Sequence, residues 1–197
     1  GRSGADRAGG TPDRALAVAL GASEHYRDAA LYDYEYRRRR DDVAFYVELA
    51  GRVAGAGGRV LELGCGSGRI TAALARAGFE VVALDAEPAM LAGLTARMAR
   101  LPRSAAARIT PVAGDLRTFA LGRRFPLILA GFNVLEHLYT RVELEACLAR
   151  VRAHLAVDGA FAFDVQLPDP AWLARDPGRR WARTRFRHPG TGAPTWY

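Results

Sequence analysis

The chain of 197 residues is long enough for one domain with a full hydrophobic core, and because half of its residues are hydrophobic we exclude disorder throughout. Its net charge of +7 would favour a nucleic-acid or membrane partner, but the sequence lacks lysine and most arginines are scattered, so we attribute the charge to codon bias. No apolar run reaches the length of a membrane span. The two cysteines, Cys65 and Cys147, do not resemble a disulfide pair, and a reducing, cytoplasmic location is expected.

The segment before residue 58 is predicted to be helical after a disordered start. Residues 1–12 are rich in Gly, Ala and Arg, and Thr11-Pro12-Asp13 is a capping signal for a short helix over 14–20. A dense patch of tyrosines follows at 26–36. The next predicted helix begins near Asp41, and its apolar face consists of Val43, Tyr46, Val47, Ala50 and Val53.

From residue 58 to 166, predicted strands alternate with predicted helices. The strands are expected at 59–63, 79–84, 108–113, 125–130 and 160–165. The helices are expected at 68–77, from Pro88 onwards, and at 141–156, where the inward-facing residues should be Leu144, Leu148, Val151 and Leu155. This alternation requires right-handed crossovers and predicts an α/β fold with a doubly wound, mostly parallel sheet.

Two features flank the last predicted strand. His154, late in its helix, is expected only to complement the helix dipole. Asp158-Gly159 is predicted to form the turn into the strand. The tail after Gln166 is rich in Pro and Gly and looks loop-like.

A glycine-rich loop after the first strand is the most informative motif. Gly64, Gly66 and Gly68 alternate between a short apolar run and a helical pattern, which is typical of a nucleotide-binding α/β unit. Asp85 ends the second strand, where a ribose-binding carboxylate belongs. Glu62, two residues before the first glycine, would repel a pyrophosphate but would suit a cationic ligand.

The segment from Glu62 to Gly68 closely resembles the first motif of class I S-adenosylmethionine-dependent methyltransferases. That family has a Rossmann-like core, and its loop wraps the methionine and ribose part of the cofactor. The resemblance covers roughly residues 26–166 and implies S-adenosylmethionine as the cofactor, with no metal. It assigns the cofactor to Glu62, Gly64, Cys65, Gly66, Ser67, Gly68, Asp85, Ala86, Asp115, Leu116, Phe132, Asn133, Tyr36 and Arg39.

The resemblance also gives individual roles to some of these residues. Asp115 would accept a hydrogen bond from the adenine amino group, and Phe132 and Asn133 would lie near the methionine half. The tyrosine patch resembles the N-terminal helical lid of small-molecule methyltransferases, including amino-sugar N-methyltransferases. In such lids a tyrosine, here Tyr32, closes over the sulfonium, and an arginine, here Arg39, reaches the cofactor carboxylate.

His137 is the best candidate for a general base, because an imidazole of near-neutral pKa can take a proton from a hydroxyl or ammonium group. The alternative is that His137 only packs or bonds to backbone. Gln166, at the same rim, is a weaker candidate for a substrate contact.

We therefore predict a small-molecule methyltransferase that transfers the methyl group by direct in-line displacement to N or O. Its predicted parts are a disordered start (1–12), a helical lid (13–57), a cofactor-binding core (58–166) and an incomplete C-terminal arm (167–197). The short tail leads us to expect a truncated chain.

Three alternatives stay open. An RNA or protein methyltransferase is favoured by the positive charge, but the Asn- or Asp-Pro-Pro motif of base-methylating enzymes is absent, so no nucleic-acid partner is expected. A cofactor-binding domain without activity would follow from missing C-terminal strands. A nicotinamide dehydrogenase would bind NAD instead. No membrane partner is expected, and the sequence does not determine the oligomeric state.

Overall fold

The computed structural model describes residues 26–176 and 185–196. The predicted disordered start and the predicted helix over 14–20 lie outside the described residues. The strands are β1 (Arg59–Leu63), β2 (Glu80–Asp85), β3 (Ile109–Ala113), β4 (Phe125–Ala130), β5 (Leu155–Phe163), β6 (Arg185–Arg187) and β7 (Pro194–Trp196). The helices are α1 (Ala29–Tyr36), α2 (Asp41–Val53), α3 (Arg69–Arg76), α4 (Pro88–Met98), α5 (Arg103–Ala106), a 3₁₀ helix (Val134–His137), α6 (Arg141–His154) and α7 (Pro170–Leu173).

The first five strands form one parallel sheet in the order β3-β2-β1-β4-β5. The chain runs outward from β1 through β2 to β3, then returns to pair β4 with the other side of β1. Strand order therefore reverses between β1 and β4, and open α/β sheets bind ligands beside such a point, at the carboxyl ends of the strands. The predicted doubly wound, parallel sheet is confirmed.

Helices cover both faces of this sheet because its strands are buried on both sides. Val60 and Leu127 belong to one apolar cluster, with Leu74 of α3 and Leu94 of α4. Their neighbours along the strands belong to the other cluster, which includes Cys147 of α6. Successive strand side chains point to opposite faces, so nearly continuous apolar strands supply both cores.

Helix α6 buries a different face from the predicted one. Leu148, predicted to point inward, is 41% exposed, whereas Cys147, Val151 and His154 are buried. These three residues share one face at the i, i+4 and i+7 spacing. The helix also ends at His154, two residues before its predicted end, because Leu155 already pairs with Phe125 in β5.

His154 is structural, and the prediction that it only complements the helix dipole is wrong. Its Nε2 accepts the backbone N–H of Leu121 at 2.9 Å, and its Nδ1 lies 2.7 Å from the carbonyl oxygen of Arg150. His154 therefore fixes the segment before β4 to the end of α6.

Strand β5 starts earlier than predicted and lies at the edge of the five-stranded sheet. Asp158 is inside it in a left-handed conformation, with φ 61°, and the pairing with β4 shifts register nearby. The predicted turn at Asp158-Gly159 is thus an irregularity within the strand. The described part of the tail contacts α1 and the residue before it. Phe186 stacks on Tyr34, with ring centroids 5.0 Å apart, and His188 pairs with Asp28 at 2.8 Å.

The two helices inside the predicted lid occupy different environments. Helix α1 has no buried residue among those described, and it lies across the carboxyl edge of the sheet. Helix α2 buries Tyr46 and Ala50 in the core beside α3, as its predicted apolar face requires. Among the described residues, no helix is both long and apolar enough to cross a membrane.

Candidate active site

A cavity of about 330 Å³ opens at the carboxyl ends of β1, β2 and β4, where the strand order reverses. We call it the glycine-loop cavity. It is lined by Tyr26, Tyr32, Glu62, Gly64, Cys65, Gly66, Ser67, Arg69, Ile70, Asp85, Ala86, Glu87, Met90, Leu116, Gly131, Phe132, Val134, His137 and Tyr139. Its volume is within the range of small-molecule sites.

A second cavity of about 270 Å³ adjoins the first, and we call it the side cavity. The two share Tyr26, Phe132, His137 and Tyr139. The side cavity is completed by Tyr36, Arg39, Asn133, Glu136 and Gln166. A ligand in one cavity would therefore lie next to a ligand in the other, and both would contact His137 and the shared aromatic rings.

The glycine loop follows β1, and its three glycines are all left-handed, with φ of 62°, 55° and 84° at Gly64, Gly66 and Gly68. A Cβ on Gly64 would lie 2.5 Å from Val134, and one on Gly68 would lie 2.3 Å from Leu94. A Cβ on Gly66 would meet nothing closer than 3.9 Å. Gly64 and Gly68 are therefore required by packing and backbone conformation, whereas Gly66 leaves open space in the cavity.

Two carboxylates form the acidic wall of the glycine-loop cavity. Glu62 is buried and accepts a hydrogen bond from the Thr71 hydroxyl, and burial raises its pKa to about 8. Asp85 accepts the backbone N–H of Gly66 at 2.7 Å and of Glu87 at 2.8 Å. Burial raises the pKa of Asp85 as well, against the lowering effect of those hydrogen bonds.

Ser67 and Cys65 line the cavity, but their side chains already have partners in the protein. The Ser67 hydroxyl bonds to Asp33 of α1, and Arg97 of α4 binds the same carboxylate at 2.6 Å. Burial raises the pKa of the Cys65 thiol, so the thiol stays protonated. The Ser67–Asp33–Arg97 network thus ties α1 to the glycine loop.

Aromatic rings form the opposite wall. Phe132 packs edge-on against Tyr36 and Tyr32, with ring centroids 4.7 and 6.3 Å apart. Two guanidinium groups flank its ring, that of Arg39 at 4.7 Å and that of Arg69 at 5.2 Å from the centroid. Burial raises the pKa of the Tyr32 phenol, so Tyr32 is a neutral hydroxyl at the cavity and no base.

His137 lies at the end of the 3₁₀ helix, where both cavities meet. Its Nε2 is 3.0 Å from the hydroxyl of Tyr26, and the two rings are perpendicular at 5.1 Å. Burial raises the pKa of Tyr26 to about 12, so this phenol is protonated near neutral pH. The imidazole therefore has a neutral hydroxyl as its partner.

The loop after β4 is held by a residue that the sequence did not reveal. Asp164, just past β5, accepts the backbone N–H groups of Phe132 and Asn133, each at 2.8 Å, and the hydroxyl of Tyr46 at 2.7 Å. Phe132 and Asn133 are both left-handed, with φ of 67° and 62°. An aspartate after an edge strand carries no recognisable sequence signal for this role.

The remaining predicted residues occupy three different places. Ala86 and Leu116 line the glycine-loop cavity, while Arg39, Tyr36 and Asn133 line the side cavity and not the glycine-loop cavity. Gly68 is the N-cap of α3 and does not line the cavity. Asp115 is also outside the lining, and its carboxylate is paired with Arg117 at 2.5 Å, which lowers its pKa.

Comparison with known proteins identifies this arrangement. The family described as "Methyltransferase domain" matches residues 61–161, just over half of the chain and the whole span from β1 into β5. The chain belongs to this methyltransferase domain family. The predicted family is confirmed, and the matched residues include most of those that line the glycine-loop cavity.

Relatives of this methyltransferase domain share its core at moderate identity. The chain is 32% identical over 156 residues to dTDP-3-amino-3,6-dideoxy-alpha-D-glucopyranose N,N-dimethyltransferase of Streptomyces fradiae. The match covers 74% of this chain and 53% of that protein. It is 35% identical over 122 residues to the cypemycin N-terminal methyltransferase of a Streptomyces species, covering 62% and 46%. The chain thus spans about half the length of these curated relatives.

A solved structure supports the same fold. The glycopeptide N-methyltransferase MtfA complexed with S-adenosyl-L-methionine superposes with a TM-score of 0.59 at 28% identity. The comparison covers 81% of this chain and 67% of that one. The methyltransferase domain described here is therefore similar to enzymes that were crystallised with this cofactor.

The residues present fit a cationic cofactor better than a dinucleotide. Three acids, Glu62, Asp85 and Glu87, line the glycine-loop cavity, against one cation, Arg69. That guanidinium already forms a two-pronged ion pair with Asp42, at 2.7 and 2.5 Å. A pyrophosphate would find acids and an occupied arginine here, whereas an ammonium or sulfonium group would favour the ionised form of these acids and be attracted to it.

Sequence reasoning missed several lining residues. Tyr26 and Tyr139 line both cavities, and Arg69 flanks Phe132. Tyr26 belongs to the tyrosine patch, which was the available signal. Arg69 follows the last glycine of the loop, but nothing in the sequence links it to Asp42 in a different helix.

Proposed function

We propose that this chain transfers a methyl group from S-adenosylmethionine to an amine nitrogen of a small molecule. The observation that carries the proposal is the glycine-loop cavity itself, which has an acidic wall and an aromatic wall and meets a histidine. The acidic wall suits the two cationic groups of the cofactor. The ring of Tyr32 suits a sulfonium, because the Phe132 ring is already flanked by Arg39 and Arg69. When bound, the cofactor supplies the electrophilic methyl group, so the protein needs chiefly to position the acceptor and exclude water.

The proposed cofactor contacts use each wall differently. Asp85 would accept the ribose hydroxyls, because a carboxylate has about four acceptor positions and can hold Gly66 and Glu87 at the same time. Glu62, whose pKa of about 8 keeps it largely protonated in the empty site, would ionise beside the positive charge on the methionine side and so stabilise it. Gly66 would let the backbone approach the ligand closely. Ala86 and Leu116 would flank the adenine.

The acceptor would enter from the side cavity. His137 borders both cavities and would first remove a proton from the ammonium form of the acceptor, which frees the nitrogen lone pair for methylation. Tyr26 would orient the imidazole through its hydrogen bond. Glu136, in the side cavity, would favour an acceptor that arrives as an ammonium ion.

The relatives support nitrogen as the acceptor atom. One is named as an amino-sugar N,N-dimethyltransferase, one as a peptide N-terminal methyltransferase, and one as a glycopeptide N-methyltransferase. An amine on a sugar or a peptide is the feature that these names share. We extend that class, without choosing between its members, to this chain.

A methyl-transfer screen tests the proposal. Labelled S-adenosylmethionine would be incubated with the chain and with a nucleotide-linked amino sugar, peptides with a free N-terminus, matched hydroxyl analogues, or RNA. We expect label in at least one amine and in neither its hydroxyl analogue nor RNA. Transfer to RNA alone would overturn the proposal. Cofactor binding without transfer to any acceptor would favour the binding domain without activity.

A further inference from the structure

The loop between β4 and the 3₁₀ helix combines two unfavourable backbone conformations with a single carboxylate. Phe132 and Asn133 are consecutive non-glycine residues with positive φ. Asparagine tolerates this region better than most residues, but phenylalanine rarely adopts it, because Cβ crowds the following carbonyl oxygen. Such a conformation persists only where surrounding contacts enforce it.

We propose that Asp164 is a positioning residue that holds Phe132 at the junction of the two cavities by enforcing this left-handed loop. The proposal rests on the function proposed above, because it assigns Phe132 to the wall that faces the methyl group. Asp164 touches neither cofactor nor acceptor in this account. It acts through the backbone of the loop after β4.

Asp164 accepts hydrogen bonds from the two residues of this loop that have positive φ, Phe132 and Asn133. One carboxylate oxygen, Oδ1, accepts the N–H of Asn133, and the other, Oδ2, accepts the N–H of Phe132. Successive backbone N–H groups that converge on one anion in this way resemble an anion-binding nest, and both N–H groups reach Asp164 in the conformation that the loop adopts. The carboxylate therefore favours the left-handed loop over the extended alternatives.

Asp164 is itself fixed by a buried residue of another element. The hydroxyl of Tyr46 in α2 donates to Oδ2, and Tyr46 is 1% exposed. The ring of Tyr46 packs against Gly131, where an added Cβ would lie 2.8 Å from it. The carboxylate is thus held between a helix in the core and the end of β5, and it cannot follow the loop if the loop moves.

The position of the Phe132 ring is the functional consequence. The ring contacts Tyr32 and Tyr36 of the lid and lies under Arg39 and Arg69. A change to negative φ would swing the ring away from these partners. The aromatic wall would then lose its central member, while the glycine loop, which Asp85 holds separately, would keep its conformation.

A glycine rescue tests this role. We would prepare Asp164→Ala, Asn133→Gly and the double variant, with Asp158→Ala, in the strand that precedes Asp164, as a matched control. Asp158 is left-handed too, but it lies toward the amino end of β5 and lines neither cavity. The readouts are the Kd for S-adenosylhomocysteine by calorimetry, kcat and KM with an accepted amine, and Tm.

We expect Asp164→Ala to raise Kd about tenfold, since it removes charge-assisted hydrogen bonds from the loop, and to lower kcat as well. Glycine takes positive φ without the Cβ penalty, so the double variant should recover part of both losses. Asp158→Ala should lower Tm without changing Kd. If Asp164→Ala does not fold, Asp164→Asn and Tyr46→Phe, which each remove part of the network, should give smaller changes in the same direction.

Three results would overturn the proposal. The first is an unchanged Kd and kcat in the Asp164 variants. The second is a loss that the glycine does not relieve, which would make Asp164 only a stabiliser of the sheet edge. The third is a wild-type chain that binds no S-adenosylhomocysteine, which would overturn the proposed function too and is distinguishable from the first two because those require wild-type binding.

Discussion

Two loops follow adjacent strands at the same edge of the sheet. Both contain residues with positive φ, and each loop stabilises this conformation in a different way. The loop after β1 is left-handed at Gly64, Gly66 and Gly68, and the loop after β4 is left-handed at Phe132 and Asn133. Each loop is tied to a carboxylate on a neighbouring strand or just past it, Asp85 for the first and Asp164 for the second. The first loop avoids the steric cost of positive φ because its residues are glycines. The second loop offsets that cost with hydrogen bonds.

The difference matters because each solution serves its own purpose. A left-handed non-glycine residue costs roughly 1–2 kcal/mol, and a hydrogen bond to a charged group contributes about 1.5–3 kcal/mol. The first loop leaves open space where the cofactor would approach. The second loop retains a phenyl ring and an amide for the acceptor side, and so it needs the support of Asp164. We infer that the first loop serves cofactor binding and the second serves positioning.

The largest expected effect comes from a side chain in the open space of the first loop. Gly66→Val should abolish cofactor binding, because its side chain would enter the glycine-loop cavity and its φ of 55° is unfavourable for a β-branched residue. Calorimetry with S-adenosylhomocysteine measures this. Gly55→Val is the matched control, since Gly55 has a φ of 71° and lies in the turn after α2 with nothing within 4 Å of an added Cβ.

The control variant should lose about 1–2 kcal/mol of folding free energy, which is a fall of roughly 2–8 °C in Tm, with Kd unchanged. Equal binding losses in both variants would mean that strain alone, and not the ligand's space, explains the effect. Normal binding by Gly66→Val would remove the first loop from the cofactor site.

The next largest effect concerns the 3₁₀ helix that the second loop leads into. His137→Ala should lower kcat by about 10²–10⁴-fold if the imidazole is a general base, with little change in the Kd of the cofactor. A pH–rate profile should lose its acidic limb, because that limb reports protonation of the base. A profile with the same limb in wild type and variant would return His137 to a packing role.

A smaller effect is expected at the carboxylate that supports the first loop. Asp85→Asn should raise the Kd for S-adenosylmethionine about 10–100-fold, because it replaces a charged acceptor of ribose hydroxyls and of the Gly66 N–H by a neutral amide. The comparison of the loops predicts that Asp85→Asn changes Kd more than Asp164→Asn does. If calorimetry gives the reverse order, the inference that the first loop serves cofactor binding and the second serves positioning is wrong.

A last effect concerns stability rather than binding or turnover, and it follows from Glu62. Its pKa is about 8 in the folded chain and near 4.5 when unfolded, so the folded state binds more protons between these values. Raising the pH through this window therefore lowers the free energy of unfolding, by at most about 1.4 kcal/mol per pH unit. Glu62→Gln does not titrate and should lack this decline.

Urea unfolding of both proteins at several pH values from 5 to 8 checks the prediction about Glu62. The stability of wild type relative to Glu62→Gln should fall steadily as the pH rises. Parallel curves would mean that Glu62 titrates at its ordinary value and is not desolvated.

The sequence predicted the parts of this molecule whose signals are local. The strand, the glycines and Asp85 are close in sequence and carry a characteristic pattern, and the apolar period of α2 correctly placed Tyr46 in the core. The prediction of the inward face of α6 was wrong because it left out His154. The buried imidazole has two backbone hydrogen-bond partners, and a hydrophobic pattern does not reveal such partners. Asp164 was missed because its partners are more than 30 residues away in sequence.

The central claim is that the glycine-loop cavity binds S-adenosylmethionine and no dinucleotide. The most direct test is a calorimetric titration of the wild-type chain with S-adenosylmethionine and, separately, with NAD. The account predicts saturable binding of S-adenosylmethionine at one site per chain, abolished in Gly66→Val, and no binding of NAD. Binding of NAD with no binding of S-adenosylmethionine, or binding of S-adenosylmethionine that Gly66→Val leaves intact, would contradict it.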